Sequence, residues 1–173
     1  MNSAISNITR FVFLLIAQVL IFNNLDLLSF INPFPYILFI ILYPTDGNKA
    51  LFYISSFLLG LTIDMFENSG GVHAAASLIL AFSRPLVLKF SFGISYQYHN
   101  LNVLRKVTKD LFSSMEVFGY LIFTVVIHHV VLFALEFLRF NFIWEILLRT
   151  LLTTIATLLS CILIIYLIKP SKR

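Results

Sequence analysis

The sequence is poor in charge and in the residues that build covalent or metal-linked sites. Of its 173 residues only 12% are charged while 60% are hydrophobic, and there is a single cysteine. A soluble domain carries about a quarter charged residues, so this chain has too little charge to cover a surface that faces water. Cys161 by itself excludes an internal disulfide and a cysteine metal cluster, and we expect it to be packed or lipid-facing rather than reactive. The composition predicts an integral membrane protein.

The charge that is present is mainly basic and scattered. Twelve lysines and arginines against eight acidic residues give a net charge of +4. They lie between apolar blocks instead of forming a patch with interleaved aromatic residues, which disfavours nucleic acid as a partner. We therefore expect the basic residues to orient the chain in a lipid bilayer.

Six apolar stretches predict an all-α integral membrane protein, a single domain over residues 1–173 with about six transmembrane helices. The predicted helices cover residues 10–28, 31–43, 49–66, 73–92, 117–138 and 146–168. The first is interpreted as a retained helix rather than a signal peptide, because Asn23 and Asn24 stand where small residues would mark a cleavage site.

The second stretch is short for a membrane span and is bracketed by Pro33, Pro35 and Pro44. About eleven apolar residues fall below the roughly 20 that a spanning helix needs. Two structures remain open: a tilted helix, or a broken or re-entrant element sheltered by its neighbours.

The basic residues predict the orientation of the chain. With six passes both ends lie on one side of the membrane, and the positive-inside rule makes that side the cytoplasm. It would carry Arg10, Lys49, Lys89, Arg105, Lys106, Lys109, Lys169, Lys172 and Arg173, against Arg139 and Arg149 on the far side.

The longest connection, about residues 101–116, has the pattern of an amphipathic helix. Its apolar positions are Leu101, Leu104, Val107, Leu111 and Met115, and Arg105, Lys106 and Lys109 occupy other faces as a basic cytoplasmic surface. Such a helix can lie on anionic headgroups, or it can be a cytosolic extension of the fifth transmembrane helix.

The region from Ser56 to Ala76 holds the most informative pattern. Ser56, Gly60 and Asp64 are four residues apart and share one helix face, and small residues at that spacing let another helix approach closely. A carboxylate in a transmembrane stretch is a candidate functional group. The alternative for Asp64 is a helix-end aspartate that hydrogen-bonds the following turn at residues 68–70.

After that turn, small residues lead into the next helix. Gly70 and Gly71 permit a tight reversal through positive φ, and His73 and Ala74 then open an alanine-rich helix. We expect a closely packed hairpin in preference to a ligand pocket, and this set, Ser56 to Ala74, is the candidate surface for helix packing or partner binding.

Other polar residues in the apolar stretches have simpler interpretations. Arg84, before the helix-kinking Pro85, is expected to extend toward the cytosol. His128, His129 and Glu136 favour interhelical hydrogen bonds over a metal site or proton path. The sequence shows no catalytic constellation, phosphate loop or zinc signature, so we expect no catalytic residue, cofactor or metal.

Part of the sequence resembles a known protein family. Pro33-x-Pro35 before an apolar run, the segment from Phe57 to Asp64, and Gly71-Val72-His73-Ala74 are similar to the bacterial rod shape-determining protein MreD. The resemblance covers about Pro33 to Pro85, roughly a third of the chain. The length and basic tail agree with it, while the first helix and the long connection depart from it.

The resemblance implies a non-enzymatic subunit of the inner-membrane machinery that elongates the cell wall. Family members are thought to bind the membrane-anchored periplasmic protein MreC and to act with the MreB filament and wall synthases. The fold is also similar to the six-helix substrate-binding subunits of energy-coupling-factor vitamin transporters. That similarity supplies the alternative, a small-molecule binding subunit with a pocket near Asp64, Glu67 and His73.

Overall fold

The computed structural model describes residues 3–25, 31–94, 102–137 and 143–168, and most of these residues lie in helices. The helices are α1 (Ser3–Leu20), α2 (Leu38–Ile41), α3 (Lys49–Glu67), α4 (Val72–Phe92), α5 (Val103–Asp110), α6 (Met115–Phe137) and α7 (Ile143–Ile168), with 3-10 turns at Phe22–Asn24 and Pro35–Ile37. The prediction of an all-α protein is confirmed.

Five of these elements are long and apolar enough to cross a membrane: α1 with the turn that follows it, α3, α4, α6 and α7. Their length and composition make the chain a multi-pass membrane protein. The count of six spanning helices stays a prediction, and so does the side of the membrane on which the two chain ends lie. Arg139 and the basic tail 169–173 fall outside the described residues.

The first helix begins and ends earlier than predicted. It runs from Ser3 to Leu20 and gives way to a 3-10 turn, and residues 26–28 of the predicted helix lie outside the described part. The Asn24 amide donates to the carbonyls of Leu20 and Val19 at 3.1 and 3.3 Å. Asparagine side chains compete for backbone groups in this way and favour helix ends, which explains the early stop.

The second apolar stretch is a broken element enclosed by the other helices. Seven residues are helical, Pro35–Ile41, which span little more than 10 Å of a 30 Å core. The backbone N–H of Phe34 donates to Thr157 and that of Tyr36 to Gln18, at 3.0 and 3.3 Å. Irregular backbone survives at membrane depth where protein groups satisfy it, so the structure matches the sheltered alternative.

Two arginines hold the carbonyl end of this element. Arg84 donates to the carbonyls of Ile41, at 3.2 Å, and of Tyr43, and also to the Tyr120 hydroxyl. Arg10 donates to the carbonyl of Leu42 at 3.2 Å. The expectation that Arg84 extends to the cytosol is wrong: its side chain is 4% exposed, because the unpaired carbonyls at the end of α2 attract a cation.

The connection before α6 forms a helix of its own. A turn at residues 111–114 separates α5 from α6, so α5 is not an extension of the fifth transmembrane helix. Its buried face consists of Val103, Val107 and Leu111, whereas Met115 is 84% exposed. The predicted apolar face was therefore partly wrong, since it included Met115 and omitted Val103; Leu101 is outside the described residues.

The basic residues of α5 lie away from that buried face. Arg105 and Lys109 are exposed, and Lys106 pairs with Asp110 at 3.3 Å one helical turn later. The basic surface predicted for this connection is present, and its cytoplasmic placement remains a prediction.

Candidate functional site

The α3–α4 hairpin is built around Gly60, where the two helices touch backbone to backbone. A Cβ at this position would lie 2.7 Å from both the N and Cα of Ala74, and closer still to the carbonyl oxygen of His73. Ser56 and Asp64, on the same face of α3, are buried as well. The predicted small-residue face thus packs against α4 inside the chain.

Asp64 is a cap for the start of α4. Its carboxylate accepts the backbone N–H groups of His73 and Ala74 at 2.9 and 2.8 Å and the hydroxyl of Ser69 at 2.5 Å. The first N–H groups of a helix have no partner within the helix, and an anion there also complements the helix dipole. Every described hydrogen bond of this carboxylate is therefore local to the hairpin, which matches the helix-end alternative.

The turn between the helices uses backbone that favours glycine. Asn68, Gly70 and Gly71 have φ of 54°, 67° and 95°, the left-handed region that other residues adopt at a cost. A Cβ at Gly70 or Gly71 would have no heavy atom within 4 Å. The positive φ, and not a close approach of another helix, is therefore what favours glycine at these two positions.

A line of buried hydrogen bonds leads from the hairpin into the bundle. Glu67 Oε2 lies 2.8 Å from His73 Nε2, His73 Nδ1 lies 3.2 Å from the Tyr36 hydroxyl, and that hydroxyl lies 2.8 Å from His128 Nε2. The Tyr36 hydroxyl therefore bridges a histidine of α4 and a histidine of α6, and His73 connects it to Glu67 at the end of α3.

A second buried line fastens the same broken element to α6 and α7. The N–H of Phe34 donates to Thr157, whose hydroxyl lies 3.1 Å from His129 Nε2, and His129 Nδ1 lies 2.8 Å from the carbonyl of Val125. A carbonyl only accepts, so the proton of His129 is on Nδ1 and Thr157 donates to Nε2. The expectation of interhelical hydrogen bonds for His128 and His129 agrees with these contacts.

A cavity opens at the hairpin end of the bundle, next to Glu67. It has a volume of about 360 Å³ and is lined by Glu67, His73, Glu136, Arg149 and Thr153 among others. Arg149 Nη1 lies 3.9 Å from Glu136 Oε1. Asp64, which the alternative function placed at this pocket, is not among the lining residues.

Two buried oxygen atoms at this hairpin-end cavity lack a hydrogen-bond partner within the described part of the chain. They are Glu67 Oε1 and Thr153 Oγ1, and Thr153 is 1% exposed. Buried polar atoms are rarely left unpaired, and these two oxygens lie beneath the cavity lining, since neither exposes surface to a water-sized molecule. Within the described residues no cluster of three metal-ligating side chains occurs.

The sequence analysis missed three contributors to the buried hydrogen bonds and to the hairpin-end cavity: Tyr36, Gln18 and the threonines of α7. Tyr36 is fully buried and joins α4 to α6, but in sequence it is one aromatic residue in an apolar run. The threonines left a usable signal, because Thr150, Thr153, Thr154 and Thr157 recur at helical spacing and all four are buried.

Comparisons of the chain with protein-family models, with curated proteins and with solved structures find no match.

Proposed function

We propose that this chain is a non-enzymatic subunit of the bacterial cell-wall elongation machinery, similar to MreD, which acts in the inner membrane through protein partners. The observation that carries the proposal is that residues of the motif that resembles MreD lie together in the structure. Gly60, Asp64, His73 and Ala74 meet at one helix joint, where they lock α3 against α4. A motif used for locking helices supports an architectural role.

The partner must use a face other than the one predicted. Ser56, Gly60 and Asp64 are buried inside the chain, so they would contribute indirectly, by fixing the hairpin. An MreC-like partner with one transmembrane helix would pack on the lipid-facing sides, which include exposed Val12 of α1 and Leu163 of α7. The MreB filament and wall synthases are proposed as further members of the same assembly, with both ends of the chain in the cytoplasm.

Cysteine cross-linking tests this proposal directly. Cys161 is buried, so it should give a low background, and cysteines can be placed at Val12, Leu58 or Leu163, one per helix. Co-expressed with an MreC-like protein that carries a cysteine scan of its helix, one position is expected to cross-link strongly and the others weakly. Absence of both cross-linking and co-purification, with both proteins at normal levels in the membrane, would contradict the proposal.

The hairpin-end cavity favours one second candidate, a small-molecule binding subunit of an energy-coupling-factor type transporter. The polar lining of this cavity, which includes Glu67, His73 and Arg149, is the specific observation. A bound ligand raises thermal stability, so a screen of vitamin-sized compounds should find one that raises the melting temperature of the purified protein.

The matched control for that screen is Thr153→Val, which keeps the shape of the side chain and removes a hydroxyl without a partner. The free variant is expected to be as stable as the parent, because no hydrogen bond is lost, and the ligand-induced shift should be unchanged, because this hydroxyl does not face the cavity. A broad screen that leaves the melting temperature unchanged counts against this second candidate.

A further inference from the structure

Two adjoining hollows lie at the end of the bundle opposite the hairpin, where α3 begins. The first, the basic cavity, has a volume of about 440 Å³, and the cations Lys49 and Arg84 contribute to its lining. The second, the apolar groove, has a volume of about 470 Å³ and lies between α1 and α3, with Ile8, Phe11 and Leu58 in its lining.

The two hollows are neighbours. Tyr43 and Gly47 lie on their common border and line both of them, so a molecule with a charged end and an apolar end can reach into both. The α3 side of the groove runs from Asn48, where α3 starts, to Leu58. This arrangement places positive charge at the mouth of an apolar slot.

No carboxylate among the described residues forms an ion pair with the cations of the basic cavity. The ion pairs in the described part of the chain involve His73, Lys106 and Arg149, none of which lines this cavity. Arg84 donates to two carbonyls and a tyrosine hydroxyl, which leave its net charge in place. Asp46, the nearest acidic residue in sequence, is exposed and lines neither hollow. The cavity therefore suits an anion.

The chemistry of the two hollows favours a lipid over a protein helix. An apolar transmembrane helix that filled the groove would leave the cations of the basic cavity without an anion, whereas a lipid brings an acyl chain to the groove and a phosphate to Lys49 and Arg84.

We propose that these hollows form a binding site for one anionic phospholipid, with its phosphate in the basic cavity near Lys49 and Arg84 and an acyl chain in the groove between α1 and α3. Cationic pockets between transmembrane helices recognise anionic headgroups in this way. The site lies at the opposite end from the hairpin-end cavity, and it stands independently of the proposed assembly with wall-synthesis partners.

Native mass spectrometry of the purified protein with defined lipids tests the site. Phosphatidylglycerol is expected to bind one to one and to resist removal more than phosphatidylcholine does. Lys49→Gln should weaken phosphatidylglycerol about fivefold, the effect of losing one cationic contact. Lys89→Gln is the matched control, because Lys89 is exposed on α4 and lines neither hollow; it should bind as the parent does.

A second variant tests the groove. Ser55 lines it, so Ser55→Phe should fill the slot and reduce phosphatidylglycerol binding, with thermal unfolding confirming that the variant folds. Equal binding of the two lipids, or parent-like binding by both Lys49→Gln and Ser55→Phe, would overturn the site. Competition by inorganic phosphate as strong as that by the lipid would also overturn it, by showing a free-anion site. The site would also be overturned if Ser55→Phe lost a co-purified partner helix while it still bound phosphatidylglycerol.

Discussion

Replacement of Gly60 by alanine is expected to destabilise the protein by about 3 kcal/mol, the upper end of the range for overpacking. The new methyl group would meet the backbone of His73 and Ala74, and backbone atoms cannot rotate out of the way as a side chain can. The helices must move apart, which also pulls the first turn of α4 away from the carboxylate of Asp64. Gly60→Leu should prevent the hairpin from forming.

The control for this prediction is Gly119→Ala in α6. A Cβ at Gly119 meets one ring carbon of Phe123 at 4.0 Å, an ordinary contact, and alanine is the better helix former by about 1 kcal/mol. This variant should be neutral or slightly stabilising. Reversible unfolding in mixed micelles, followed by circular dichroism, measures both changes, and an equal response of the two glycines would show that α3 and α4 are not in backbone contact.

Replacement of Arg84 by leucine is expected to cost about 3 kcal/mol, because buried acceptors that lose their donor cost about 1–3 kcal/mol each. The change leaves the carbonyls at the end of α2 with fewer donors and removes the charge that faces them. Arg84→Lys should fall between the parent and the leucine variant, because an ammonium group cannot reproduce the forked geometry of a guanidinium.

Lys89→Leu is the comparison on the same helix. Lys89 is exposed, so this variant removes a positive charge from α4 without disturbing a buried contact, and its free energy of unfolding should change by less than about 0.5 kcal/mol. The same unfolding assay applies. Equal stability of Arg84→Leu and Lys89→Leu would mean that Arg84 does not hold the broken element in place.

Local patterns predicted the parts of the fold that depend on local physics. The ends of α3 and α4 were placed within one residue at 49–66 and 73–92, because Asn48 caps the start of α3 with two hydrogen bonds and glycines mark the turn. The small-residue face of α3 was found for the same reason, since spacing of four puts residues on one side of a helix.

Long-range partners were beyond the reach of those patterns. Tyr36 and His128 are 92 residues apart in sequence, and Phe34 and Thr157 are 123 apart, so no local rule connects them. The prediction for Arg84 was wrong for the same reason. A lone arginine in an apolar helix is expected to extend toward water, but here the end of α2, which is distant in sequence, offers it carbonyl oxygens.

The sequence by itself determined that this protein belongs in a membrane, because a chain with so little charge and such long apolar stretches cannot cover a surface that faces water. It also determined a tight α3–α4 hairpin, because glycine and small residues at helical spacing permit one close packing. The tertiary structure decided what the buried polar groups do. Asp64 caps α4 across the tight turn, and Glu67 lines a cavity that forms where α3 meets α6 and α7. Arg84 and Arg10 hold a broken segment, because folding brings its distant carbonyls within hydrogen-bond distance of them.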